Sequence, residues 1–273
     1  MTITDLGWLN TVQPFDGPSG KPRHNGLTMV IDKGLGLAAL RDLLSVGAEH
    51  VDLLKLGFGT SLMYPPGILE KKIALSHQHG VAIYPGGTLL EVAELQGTAE
   101  AWLQRLCRLG FNVVEVSDGT IPLTDKRRRH LIKSAVLLGL RVVTEVGKKS
   151  QDHKFDVDEV CNQVQADLDA GAERVIIEAR DSGKGVGIFD GAGKADNALI
   201  TTLMERITDP AVILWEAPLV SQQQELILQL GPRVNLGNVQ PQDVITLAAT
   251  RAGLRGDTFR AHVERTLGEC SST

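Results

Sequence analysis

Short apolar runs rich in valine, isoleucine and leucine recur along this chain, separated by longer stretches in which apolar positions return at helical spacing. Strands buried on both faces read as near-continuous apolar runs, so each run predicts a buried parallel strand. Eight runs fit, at residues 27–31, 51–56, 81–84, 112–116, 141–146, 174–177, 211–215 and 233–236. The segments between them carry helix-end signals: Thr124 and Asp125 open one helix and Gly139 closes it. Gly47, Gly80, Gly110, Gly139 and Gly171 each stand a few residues before the next strand, where a left-handed helix cap favours glycine. A βα unit repeated eight times predicts an α/β single-domain (β/α)8 TIM barrel, with an open doubly wound sheet as the alternative.

Two segments fall outside the repeat. Residues 1–25, with Pro14, Pro18 and Pro22, read as an N-terminal arm lying over the barrel or over a partner, which leaves 26–273 as the catalytic barrel. Residues 181–197 carry Gly183, Gly185, Gly187, Gly191 and Gly193, and read either as a mobile lid after the sixth strand or as a plain surface loop.

Composition narrows the class. At 42% hydrophobic and 22% charged residues the chain is globular, and no apolar run approaches the ~20 residues that span a bilayer, so no membrane partner is expected. The N-terminus carries Asp5 and lacks a basic start followed by an apolar stretch, which makes a cytoplasmic address the expectation. Cys107, Cys161 and Cys270 are odd in number and far apart, an arrangement for core thiols rather than disulfides or zinc. A net charge of -5 and only 4% aromatic residues argue against nucleic acid.

In a parallel barrel the C-terminal ends of the strands surround the active site, and here those ends are dense in polar residues. They supply Asp32 and Lys33, Lys55, the Tyr84-Pro-Gly-Gly-Thr88 turn, Glu115, Glu145, Glu178, Glu216, Asn235 and Asn238. Glu115, Glu145, Glu178 and Glu216 would repel one another at a shared mouth unless a hard divalent cation or interleaved lysines offset them, which predicts Mg²⁺, with Asp32 as a further candidate ligand. His77 and His79, two apart on an expected helix, do not face the same way and are read as surface residues.

Lys33, Lys55, Lys148, Lys149, Arg180, Lys184 and Arg255 would make the same mouth positive although the protein as a whole is acidic, so the ligand should be an anion. Gly86, Gly87 and Thr88, like the Ser182-Gly-Lys-Gly185 turn, could present backbone N–H groups to a phosphate or be bare turns. Asn235 completes the candidate substrate contacts. The Gly34-Leu-Gly-Leu-Ala-Ala39 stretch nearly spells a dinucleotide fingerprint, yet the next strand ends in Lys55-Leu-Gly57 where an acidic residue should meet a ribose, and a nicotinamide site is therefore not expected.

Ile31-Asp-Lys-Gly34, Lys55-Leu-Gly-Phe-Gly-Thr60, Tyr84-Pro-Gly-Gly-Thr88, Glu115-Val-Ser-Asp-Gly119, Thr144-Glu-Val-Gly-Lys-Lys149, Ser182-Gly-Lys-Gly185, Glu216-Ala-Pro218 and Leu254-Arg-Gly-Asp-Thr258 follow one another in the chain. Through them it closely resembles the phosphosulfolactate synthase family, over roughly residues 26–259. The resemblance implies a TIM barrel, Mg²⁺, a homo-oligomer, and phosphoenolpyruvate and sulfite as substrates. It further implies Lys149, beside Lys148, as the acid that protonates the α carbon. Arg180, Lys184 and Arg255, with Ser182, would then bind phosphate and sulfonate oxygens, and Lys33 and Lys55 would counter the charge of two anions. Departures from the family pattern are Phe58 in place of tryptophan, Ala179 and Asp181 in place of glycine and glutamate, and Gly237 in place of alanine. Two other readings stand beside it: a barrel aldolase with Lys55 as Schiff-base lysine, and a protective role like that of the plant heat-stress proteins that this chain also resembles.

Overall fold

The computed structural model describes residues 11–147, 155–179 and 182–270. Eight strands form one parallel sheet: β1 (Thr28–Asp32), β2 (Leu53–Leu56), β3 (Ala82–Pro85), β4 (Val113–Val116), β5 (Arg141–Val146), β6 (Arg174–Ile177), β7 (Ile213–Glu216) and β8 (Asn235–Val239). Their order, β3-β2-β1-β8-β7-β6-β5-β4, brings the first and last strands together in the middle and leaves β3 and β4 as the two ends that meet. The sheet thus curls into the expected (β/α)8 barrel, and the doubly wound alternative falls.

The helices are α1 (Leu37–Gly47), α2 (Ile68–Gln78), α3 (Thr88–Leu95), α4 (Ala99–Leu109), α5 (Asp125–Leu137), α6 (Val157–Ala170), α7 (Asn197–Arg206), α8 (Val220–Leu230), α9 (Val244–Arg251) and α10 (Gly256–Cys270). The expected caps of α5 are present: the Thr124 hydroxyl accepts from Arg127 N at 3.2 Å, and Gly139 has φ +80°. Gly80, Gly110 and Gly171 are left-handed as expected. Gly47 is not: its φ is -121°, the chain runs on into a short 3-10 turn, and its need is for space, since a Cβ there would come within 3.0 Å of Val244 Cγ1.

Strand side chains alternate between two environments. Val30, Leu54, Ile83, Val114, Val142 and Val175 face the helices in one large core. Met29, Leu53, Ala82, Tyr84, Val113, Val143, Ile176 and Leu214 form a second core, which fills the barrel interior. Two residues further along five of these strands stand Lys55, Glu115, Glu145, Glu178 and Glu216, all buried. The period of two therefore carries a plug of apolar side chains below and a layer of charge above it at the mouth.

The β3–β4 seam, where no ladder is present, is closed by side chains. Asn112 Oδ1 accepts from Ile83 N at 3.2 Å at the entry end, and Glu115 Oε1 accepts from Gly87 N at 2.7 Å at the mouth. Glu91 on α3 adds a third crossing, accepting from Ser117 Oγ at 2.6 Å and from the amides of Thr120 and Ile121 at 2.8 and 3.0 Å.

The described part of the N-terminal arm runs under the entry end of the barrel. Lys21 Nζ donates to the carbonyls of Val51 and Gly80, Arg23 pairs with Asp52 at 2.9 Å, and Phe15 stacks on Phe259 of α10 with centroids 5.5 Å apart. The stretch after β6 is folded down rather than standing free. Val186, Ile188, Phe189 and Ala195 are buried, and Gln222 Nε2 on α8 clamps the carbonyls of Gly183 and Gly193 at 2.6 and 3.0 Å.

Candidate active site

The charged layer lines a mouth cavity of about 480 Å³, together with Ile31, Phe58, Gly86, Gly87, Thr88, Thr120, Ser182 and Asn238. Lys55 stands at its centre, with Nζ 3.0 Å from Glu115 Oε2, 3.4 Å from Glu145 Oε2 and 3.3 Å from Glu216 Oε1. Burial alone would strip its proton, but the three carboxylates outweigh burial and hold its pKa well above the ordinary lysine value. Those carboxylates disfavour the neutral amine that a Schiff base requires, which weighs against the aldolase reading of Lys55.

Glu115 is pushed up by burial, with Lys55 opposing, and its other oxygen is tied to Gly87 N. Tyr84, buried beside it, is held well above the usual phenol range first by burial and then by the Glu115 charge. Gly87 has to be glycine: a Cβ would lie 2.3 Å from Ser117 Oγ and 2.9 Å from Glu115 Oε1.

Glu145, Glu178 and Glu216 each offer a carboxylate oxygen within 4.8 Å of the other two, and all three are buried. Glu216 also accepts from Ala179 N at 3.1 Å through its second oxygen, which fixes its rotamer. Arg128 on α5 sets the height of β5 by donating to the Glu145 carbonyl at 2.9 Å while gripping Asp167 at 2.6 Å and Asp118 at 2.9 Å. Buried carboxylate oxygens brought this close repel one another, and a hard divalent cation would offset that repulsion. The oxygen-only donor set fits such an ion.

Several expected site residues lie elsewhere. Asp32 ends β1, but its carboxylate pairs with the buried Lys72 of α2 at 2.5 Å and caps the amides of Gly34 and Leu35, outside the three-glutamate group. Glu115 is likewise outside that group and belongs to Lys55 and the β3–β4 seam. Asn235 is the first residue of β8, at the opposite end from the mouth, where its amide is used up on Leu27 N and the carbonyls of Ala211 and Ile213. Arg255 lies four residues past Arg251, which ends α9 and donates to the carbonyls of Leu27, Pro232 and Val234 at the entry end, and it is not among the residues that line the mouth cavity.

Gly86 and Gly87 line the cavity, but their amides are taken by Leu56 O and Glu115, which removes them as phosphate donors. Lys33 is on the rim with Nζ 5.7 Å from the Phe58 ring, and Lys184 is exposed beside Ser182. Lys148, Lys149 and Arg180 lie outside the described residues. Sequence reasoning missed Glu91 and Arg128 as organisers, because a charge within a helix gives no sign of which loop it will reach.

The profile of the family described as ComA, (2R)-phospho-3-sulfolactate synthase, matches residues 16–257, ten residues earlier than the motifs alone suggested. The chain is 42% identical over 243 residues to the phosphosulfolactate synthase of Methanothermobacter thermautotrophicus, covering 88% of this chain and 94% of the relative. It is also 42% identical to that of Methanocaldococcus jannaschii, covering 86% and 94%. Among solved structures, 3-hexulose-6-phosphate synthase from Salmonella typhimurium superposes with a TM-score of 0.53 at 17% identity, covering 87% of this chain and 99% of that one, a likeness of fold alone. Since the matched span takes in every strand of the barrel and each charged residue of its mouth layer, the chain belongs to the (2R)-phospho-3-sulfolactate synthase (ComA) family.

Proposed function

We propose that this enzyme adds sulfite to phosphoenolpyruvate, giving (2R)-2-phospho-3-sulfolactate. The observation that supports this most is the layer of Glu145, Glu178, Glu216 and Lys55 closing the floor of the mouth cavity. The lone pair on sulfite sulfur forms the new bond to the methylene carbon, the π electrons of the double bond move toward the carboxylate, and a proton is delivered to the carbon that bears the phosphate.

Glu145, Glu178 and Glu216 would hold Mg²⁺, which when bound supplies Lewis-acid stabilisation of the charge that develops on the substrate carboxylate. Lys55 keeps Glu145 and Glu216 in place and adds positive charge beneath the reacting carbons. Lys149, with Lys148 beside it, is the proton donor of this reading. Lys33, Lys184, Arg180 and Ser182 would gather the phosphoryl and sulfite oxygens at the rim. Arg255 enters the reading only through a neighbouring copy, as part of a cytoplasmic homo-oligomer whose size light scattering would give. Among the described residues no helix is long and apolar enough to cross a membrane.

Incubation with phosphoenolpyruvate, sulfite and Mg²⁺, followed by mass spectrometry, should show the sulfonate product, and Lys149→Ala should abolish it. Absence of product with the unaltered protein rejects the reaction. Undiminished turnover by the variant removes Lys149 from its role.

A further inference from the structure

β8 does not run straight to its end. Its neighbour β7 pairs Leu214 with Asn235 and Glu216 with Gly237, so Asn235 and Gly237 share the inward face of the barrel. Gly237 confirms this, since a Cβ there would lie 2.3 Å from Leu214 Cδ2 and 2.7 Å from Met29 Cε, both in the interior core. By strict alternation Asn238 should then point outward at the helices. Against β1, however, Thr28 pairs with Leu236 and Val30 with Val239, so β8 spends one residue more than β1 over the same span. That extra residue is a β-bulge, and Asn238 sits in it with φ +53°, a left-handed conformation that asparagine tolerates better than most residues. The bulge turns the side chain into the mouth cavity, where Asn238 forms part of the wall beside Ile31 and Glu216.

The amide it places there is not used by the fold. Asn238 is 3% exposed, its Oδ1 is buried without a hydrogen-bond partner, and its Nδ2, the group able to donate, makes no hydrogen bond to the described residues. Its backbone carbonyl alone is engaged, by Gln240 at 3.1 Å. A buried amide without partners costs free energy, and a strained backbone that aims it at a cavity costs more; the two together mark a group whose partner is the ligand. In a mouth already crowded with carboxylates, a neutral amide can donate to an anion without adding charge. Its place between β1 and β7 lies on the side of a barrel where phosphates are commonly held.

We propose that Asn238 is a substrate-binding residue, a hydrogen-bond donor to the phosphoryl group of phosphoenolpyruvate; this rests on the reaction proposed above. Asn238→Gly is the discriminating variant, because glycine accepts the left-handed backbone and removes only the amide. Isothermal titration with phosphoenolpyruvate in Mg²⁺ buffer reads binding without turnover, and steady-state kinetics reads KM for each substrate. The expected result is affinity for phosphoenolpyruvate weakened roughly ten- to hundred-fold, as for a lost hydrogen bond to a charged group. KM for sulfite should change far less, with no loss of melting temperature. Asn238→Asp, which adds a further negative charge, should bind worse still. Wild-type affinity in the glycine variant overturns the role of Asn238. An unaltered protein that binds phosphoenolpyruvate but forms no sulfonate rejects the reaction instead, and the titration still decides Asn238.

Discussion

Lys55 is surrounded by carboxylates on three sides, and its behaviour should be that of a fixed cation. Lys55→Met should lower stability by about 3–5 kcal/mol in urea denaturation without added divalent ions, since it leaves buried carboxylates without their counter-charge. Borohydride added with pyruvate should leave the intact mass of the unaltered protein unchanged; a trapped adduct on Lys55 would restore the aldolase reading. Tyr84 makes a pH prediction. Its folded-state pKa lies above the unfolded value of about 10, so its contribution is present below that pH and is lost as pH rises toward the folded value. Denaturation curves taken between pH 9 and 11 should therefore fall more steeply for the wild type than for Tyr84→Phe, and parallel curves would count against the buried phenol.

The strands were legible because burial on both faces leaves near-continuous apolar runs, and each of the eight observed strands overlaps its expected run. β8 is the instructive exception: it ends at Val239 rather than 236, because Gly237 and Asn238, which look like strand breakers, are built into it as a close contact and a bulge. The β3–β4 seam was not legible at all. It depends on Asn112, Gly87 and Glu91 meeting partners that only the closed barrel brings near. Gly87→Ala tests the seam, since the added methyl must displace Ser117 or Glu115. A stability loss of about 1–3 kcal/mol is expected, together with a fall in kcat, and an alanine variant with wild-type melting and turnover would show that the crossing is dispensable.

Taken whole, the molecule places its charge by parity and depth. The glutamates could be picked out from sequence because each stands two residues past an inward apolar residue at a strand end. Depth along the strand and the supply of partners could not be read the same way. Asn235 proved to be at the entry end, and Asp32 was claimed by Lys72, a residue of α2 that the sequence gives no reason to connect with β1. Those placements leave Glu145, Glu178 and Glu216 as the candidate metal-binding group on which the proposed chemistry turns. The most direct test is calorimetric titration of Mn²⁺ or Mg²⁺ into the metal-free protein and into Glu145→Gln, Glu178→Gln, Glu216→Gln and Asp32→Asn. One ion per chain should bind the unaltered protein and the Asp32 variant alike, with affinity falling roughly ten- to hundred-fold or more in each glutamine variant that still folds. Binding that survives all three glutamine substitutions unchanged would contradict the site.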